Sequence, residues 1–176
     1  MKTLTNEEIV KKIQDVANKG VTIFEINSKT DFSNSSTFEV FMFNTFLAET
    51  YYIERDYLDA SSDIDKQNLT LFTLLARYFS LDLDVQQIAE LYKERIKNFK
   101  EDVRGIQNTN YPQTKAYLPA YTFAAIYYDQ LQLTPNLSWC DSNDSENFDP
   151  DKMDELLRFT KIFIQQINWI IDKMSL

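Results

Sequence analysis

Gly20 and Gly105 are the only glycines in 176 residues, and that scarcity is the tightest constraint on what this chain can fold into. Glycine takes positive φ without steric cost, and tight hairpin turns need such positions. A chain with so few of them cannot turn many strands back on one another. Helix interiors need no positive φ, so the expected fold is all-α, with no substantial sheet. Length and apolar content point to a single domain over 1–176. A chain of this size buries roughly 70% of its unfolded surface, and 44% apolar residues, with 13 Phe, 10 Tyr and 2 Trp, supply the core.

Apolar residues recur at helical spacing in six stretches. Thr5 and Glu8 have capping-box spacing, and Ile9, Ile13, Val16 and Ala17 share a face, which predicts a first helix over 5–18 ended by Gly20. Residues 21–26, with Val21, Ile23 and Ile26, read as a short extended piece lying across the bundle. Ser36 and Glu39 repeat the capping-box spacing ahead of a stretch ending at Ala60. Phe38, Phe41 and Met42 form one face there, and Val40, Phe43, Leu47 and Tyr51 another; a helix apolar on two faces is a central one. A third helix restarts after Ser61 and Ser62, with Leu71, Leu74, Leu75 and Tyr78 facing inward. Asp84 and Gln87 cap a fourth, running to about Arg104 with the stripe Val85, Ile88, Tyr92, Ile96, Phe99 and Val103. Pro119 fits the first turn of a fifth helix. Asp149 and Pro150 open a long final helix carrying Leu156, Phe163, Ile167, Ile170, Ile171 and Met174. No internal repeat or interdomain linker is visible, so the expected architecture is a bundle of six helices with long central and C-terminal members.

The chain has no histidine, which removes Ser-His-Asp and Cys-His catalysis, zincin motifs and histidine-bearing di-iron sites. Two glycines cannot build a Walker loop, a dinucleotide fingerprint or a nucleophile elbow. Cys140 is the only cysteine, so the chain has no internal disulfide, and with no histidine to activate it the thiol reads as inert. A net charge of −9 opposes binding to nucleic acid or to an anionic membrane surface. The N-terminal segment lacks a signal-peptide core and no apolar run reaches membrane-spanning length, so the expected location is cytoplasmic. Neither a metal nor a cofactor is expected.

Carboxylate-only magnesium chemistry survives these exclusions. Glu90 and Glu94 have the i, i+4 spacing, although Lys93, Arg95 and Lys97 between and beside them read as an exposed, salt-bridged face. Glu49 and Asp56 lie with Thr45 on a narrow polar stripe of the apolar second helix, which suggests a buried network reaching Arg55 or Arg77. Tyr51, Tyr52, Tyr57, Tyr121, Tyr127 and Tyr128 suit either a core or an interface edge.

The strongest functional lead is "SWCDSNDSENFDPDKMDE", residues 138–155, where one lysine stands against seven carboxylates, −6 of the net −9. Counted from Asp141, the stretch imitates a helix-loop-helix calcium loop but has Glu146 where the sharp turn needs Gly and Lys152 where a bidentate Glu is needed. Asp149 and Asp151 serve the start of the final helix, whose dipole favours negative charge there. Asp141, Asp144 and Glu146 precede the cap and are left as the centre of a negatively charged docking surface. Small size, helical class and acidity are similar to those of bacterial immunity or antitoxin proteins that cap a basic nuclease-like toxin, a similarity of class and charge without a shared motif. It implies a non-catalytic binder of a basic protein partner. The alternatives are a self-associating helical protein, with the 21–26 segment pairing with its copy in a homodimer, and a carboxylate-only magnesium hydrolase of nucleotides.

Overall fold

The computed structural model describes residues 5–53, 62–107 and 117–175, and these form an all-α bundle of six helices with no strand among them. They are α1 (Asn6–Ser28), α2 (Asn34–Ile53), α3 (Ser62–Tyr78), α4 (Val85–Gln107), α5 (Tyr117–Tyr128) and α6 (Pro150–Ser175), with a single 3-10 turn at Ser138–Cys140. The sequence-derived starts of α1, α4 and α6 hold because their signals are local. Thr5 and Glu8 close a reciprocal capping box. Asp84 and Gln87 do the same, at 2.8 and 2.9 Å. The Asp149 carboxylate takes the backbone N–H groups of Asp151 and Lys152. Pro119 falls in the first turn of α5.

The middle of α1 departs from expectation. Gly20 does not end the helix, and residues 21–26 are helical, so they present no strand edge to a second copy. Val21 and Phe24 are buried, while Ile26 is exposed. Gly20 is glycine because two neighbouring helices press against it. A Cβ there would lie 2.7 Å from the Asn44 side-chain nitrogen on α2 and 2.8 Å from that of Gln166 on α6. The left-handed positions that glycine would normally take fall instead to Lys29, Ser80 and Asp129, just past the ends of α1, α3 and α5.

Helix α2 is central, packed against all five of the others. Its cap is Ser33, whose hydroxyl accepts the Ser36 N–H, so the Ser36–Glu39 capping box is a misassignment. Both of those residues are buried, because the same stretch must also tie the end of α5. The Ser36 hydroxyl donates to the Ala125 carbonyl at 2.8 Å. Ser33 and Ser35 hold the Asp129 carboxylate. Helices α1 and α6 run antiparallel, as two long-range bonds show: Lys12 Nζ donates to the Met174 carbonyl and Arg158 to that of Ser28.

The core is aromatic along its length. Phe24 and Phe43 meet Phe163; Phe46, Phe72, Tyr92 and Phe99 fill the α2–α3–α4 side; Phe123, Trp139 and Phe159 fill the α5–α6 side. Ile167 and Ile170 are buried as expected, with Ile171 packed at the margin. On α3 the inward face is Asn68, Phe72 and Ala76, and Leu74 and Tyr78 point to solvent, contrary to expectation. Val85 is likewise exposed, outside the buried Ile88, Tyr92 and Phe99 stripe of α4. Among the described residues no helix is long and apolar enough to cross a membrane.

Candidate functional site

Two places combine charge with a departure from ordinary helix packing: the acidic loop before α6 and a carboxyl buried between α2, α3 and α4.

The acidic loop is folded by its own side chains. Trp139 is buried against the core, and its carbonyl accepts the Asp149 N–H at 3.0 Å, which closes the loop at its base. Within it, the Asp141 carboxylate accepts the N–H and side-chain amide of Asn143, and that of Asp144 does the same for Asn147. These are Asx turns, in which a short carboxylate satisfies backbone donors two or three residues on. Asp141 and Asp144 therefore have local structural duties that the sequence does not announce. Asp141, Glu146 and Asp151 are exposed, and Asp144 and Asp149 are half-buried. Cations touch this segment at its edge: Lys152 stands 3.8 Å from Asp149, and Arg158 pairs with Glu155. Lys152 also lies over the ring of Tyr128, whose neighbour Tyr127 is 55% exposed. Burial pushes the Cys140 thiol above its ordinary range, and the thiol donates to the Leu137 carbonyl, in keeping with an inert cysteine.

The second place was half visible in the sequence. Glu49, on α2, is 7% exposed. Asp56 and Arg55, its suggested companions, lie outside the described residues, and Arg77 is exposed. Thr45 turns back to the Phe41 carbonyl. The neighbours of Glu49 come instead from α3 and α4. Asn68 donates to Glu49 Oε1 at 2.8 Å and, more weakly, to the Tyr92 hydroxyl, which donates to Asp65 at 2.6 Å. Burial, outweighing the Asn68 bond and joined by the nearby Asp65 charge, pushes the Glu49 carboxyl up to about 7. Burial and the bond to Asp65 raise the Tyr92 phenol well above its ordinary value, so it stays protonated as the donor. A cleft of about 130 Å³ opens beside Glu49 between α2, α3 and α4, and a void of about 30 Å³ lies on its other side, toward α1.

The raised carboxyl makes stability depend on pH. The folded value of about 7 lies above the ordinary 4.5, so between the two the folded chain binds more protons than the unfolded one. This contribution is fully present below the ordinary value and fades as pH rises through the folded one. Its full size is on the order of 3 kcal/mol. A Glu49→Gln variant should lose that slope and exceed the wild type at pH 8 by about 2 kcal/mol in urea unfolding. Identical pH profiles for the two proteins would show that Glu49 ionises freely in the folded state.

Glu90 and Glu94 do not converge on a site. Glu90 is exposed and bonded to Gln86, and Glu94 lies half-buried a turn later. Arg95, assigned by its neighbours to that solvated face, is instead buried at 2% exposure and paired with Glu39 at 2.9 Å. No group of three metal-ligating side chains occurs among the described residues. Comparison with protein-family models, with curated proteins and with solved structures gives no match.

Proposed function

We propose that the protein is a non-catalytic interaction module whose acidic loop, Asp141 to Asp151, docks a basic protein partner in the manner of an immunity or antitoxin protein. The observation that supports this is preorganisation. The loop is tied at its base by Trp139 and Asp149 and along its length by two Asx turns, while Asp141, Glu146 and Asp151 stay in solvent. Like charges held at fixed positions make a local negative field that steers a cationic surface and costs no loop ordering on binding. Exposed Tyr127, beside Tyr128 and Lys152, adds an aromatic anchor at the rim, of the kind that dominates interface energetics.

The test uses Asp141→Asn, Asp144→Asn and Glu146→Gln together. Asparagine keeps the oxygen that accepts the Asx-turn N–H groups, so the melting temperature should stay nearly unchanged while three charges disappear. Affinity capture with the wild type should recover a basic protein. Its association with the triple variant should be at least ~10-fold slower at low salt, with the gap narrowing as ionic strength rises. Equal association rates at low salt would remove the loop from the interface.

A further inference from the structure

The cleft beside Glu49 has a composition that the docking loop does not account for. One end carries carboxylates, Glu49 and Asp65; the walls are apolar, with Phe46, Ile64, Ile96 and Phe99 prominent. Glu49 accepts one hydrogen bond, from Asn68 to Oε1. Its second oxygen has no hydrogen-bond partner and the carboxyl no cationic partner among the described residues; the residue is 7% exposed, and that oxygen is not fully enclosed but keeps access to solvent. Burial there disfavours the bare carboxylate, so a proton or a bound cation at that oxygen is favoured.

We propose that this cleft binds a short alkylammonium ion, with the ammonium on Glu49 and Asp65 and the alkyl chain between the phenylalanine and isoleucine walls. Three observations select this class. A volume of about 130 Å³ is close to that of an apolar cavity that holds benzene, so the ligand has on the order of five heavy atoms. A divalent metal fits less well: with two carboxylates as its charged ligands it would have to keep most of its water shell against walls that are largely hydrocarbon. An aromatic and aliphatic wall beside a carboxylate suits an organic cation, which gains cation–π attraction and apolar burial together.

The ammonium and the proton compete for one carboxyl. Facing Glu49 are Asp65 from α3 and Tyr92 and Lys100 from α4; α1 contributes only the neutral Val10, Ile13 and Gln14 to the void behind it. Lys100, exposed at the mouth, makes no ion pair with either carboxylate and lowers the affinity for an entering cation.

The test titrates n-butylammonium chloride into the full chain, reading isoleucine methyl resonances and melting temperature, with potassium chloride at equal ionic strength as reference. Saturable shifts of the Ile64 and Ile96 methyls are expected at pH 8, at least ~10-fold weaker in affinity at pH 5.5, where Glu49 holds its proton. Neutral butan-1-ol should bind at least ~10-fold more weakly than butylammonium at pH 8. Glu49→Gln should erase the difference between them, and Lys100→Met should tighten the amine severalfold. Equal binding of amine and alcohol, an amine response unchanged in Glu49→Gln, or saturable stabilisation by magnesium in place of the amine would each overturn the proposal.

Discussion

An Arg95→Met variant is expected to lose about 3 to 5 kcal/mol of stability, because it leaves the Glu39 carboxylate charged and alone in the core. In a chain of this length that loss corresponds to a fall in melting temperature on the order of 10 °C. Glu39 is 5% and Arg95 2% exposed. The guanidinium meets the carboxylate through both Nε and Nη2, at 2.9 to 3.1 Å. It then reaches beyond the pair: Nη1 donates to the Leu133 carbonyl, Nη2 to that of Gln132, and the group stands over the Tyr121 ring. One side chain on α4 thus ties the central helix to the segment leaving α5. A double variant, Glu39→Leu with Arg95→Met, separates the two duties. If the arginine served only to neutralise Glu39, the double variant would match the wild type, since apolar replacement of a buried pair is often neutral. We expect it to recover more than half of the single-variant loss but to stay about 1 to 2 kcal/mol short, because the two carbonyls lose their donors. Urea unfolding of the wild type, the two single variants Arg95→Met and Glu39→Leu, and the double variant measures the coupling directly. An Arg95→Met protein within about 1 kcal/mol of the wild type would mean that the pair is hydrated in solution.

How much of this was legible in the sequence depends on how far away the cause lies. Thr5 with Glu8, Asp84 with Gln87, and Asp149 before Pro150 act on donors three residues off, so their caps were readable one element at a time. Ser36 and Glu39 carry the same spacing, yet a cap three residues earlier at Ser33 satisfies the backbone and frees both for contacts with α5 and α4. The missed ion pair did have a signal. Arg95 stands seven residues after Ile88 and four before Phe99, which puts it on the buried stripe, and Glu39 sits between Phe38 and Val40 in a strongly apolar helix. Charge at a core position on each of two helices asks for a pairing, whereas reading Arg95 with its lysine neighbours sent it to solvent. Asn68 was hidden by leucine. Helix α3 has two candidate apolar faces, and the one it buries carries the amide that Glu49 needs. In the acidic loop the charge was plain, but the Asx turns of Asp141 and Asp144 were not, because an aspartate two or three residues before an asparagine does not by itself dictate such a turn.

Replacing Gly20 with alanine should destabilise the protein by about 3 kcal/mol, the reverse of the ~1 kcal/mol gain the same change brings at an exposed helix position. The new methyl would meet the side-chain nitrogens of Asn44 and Gln166 at 2.7 and 2.8 Å, and Asn44 Cγ at 3.1 Å. Amide ends can often swing aside, but these cannot do so freely. Both residues are fully buried, and both nitrogens are committed: Asn44 donates to the Ala17 carbonyl, and Gln166 to the Gly20 carbonyl and to Asn44 Oδ1. Moving either amide strands buried polar atoms, where Gln166 Oε1 already has no partner. Glycine here therefore sets how closely α1, α2 and α6 approach, and the two amides fix their register through polar bonds that an apolar seam would lack. The cost should belong to the clash rather than to the helix. In a background carrying Asn44→Ala and Gln166→Ala, itself destabilised by the cavity left behind, adding Gly20→Ala should cost nothing or stabilise by up to about 1 kcal/mol. A Gly20→Ala protein more stable than the wild type would place the three helices further apart than 2.7 Å contacts allow, and the glycine would then be a relic of sequence rather than a determinant of packing.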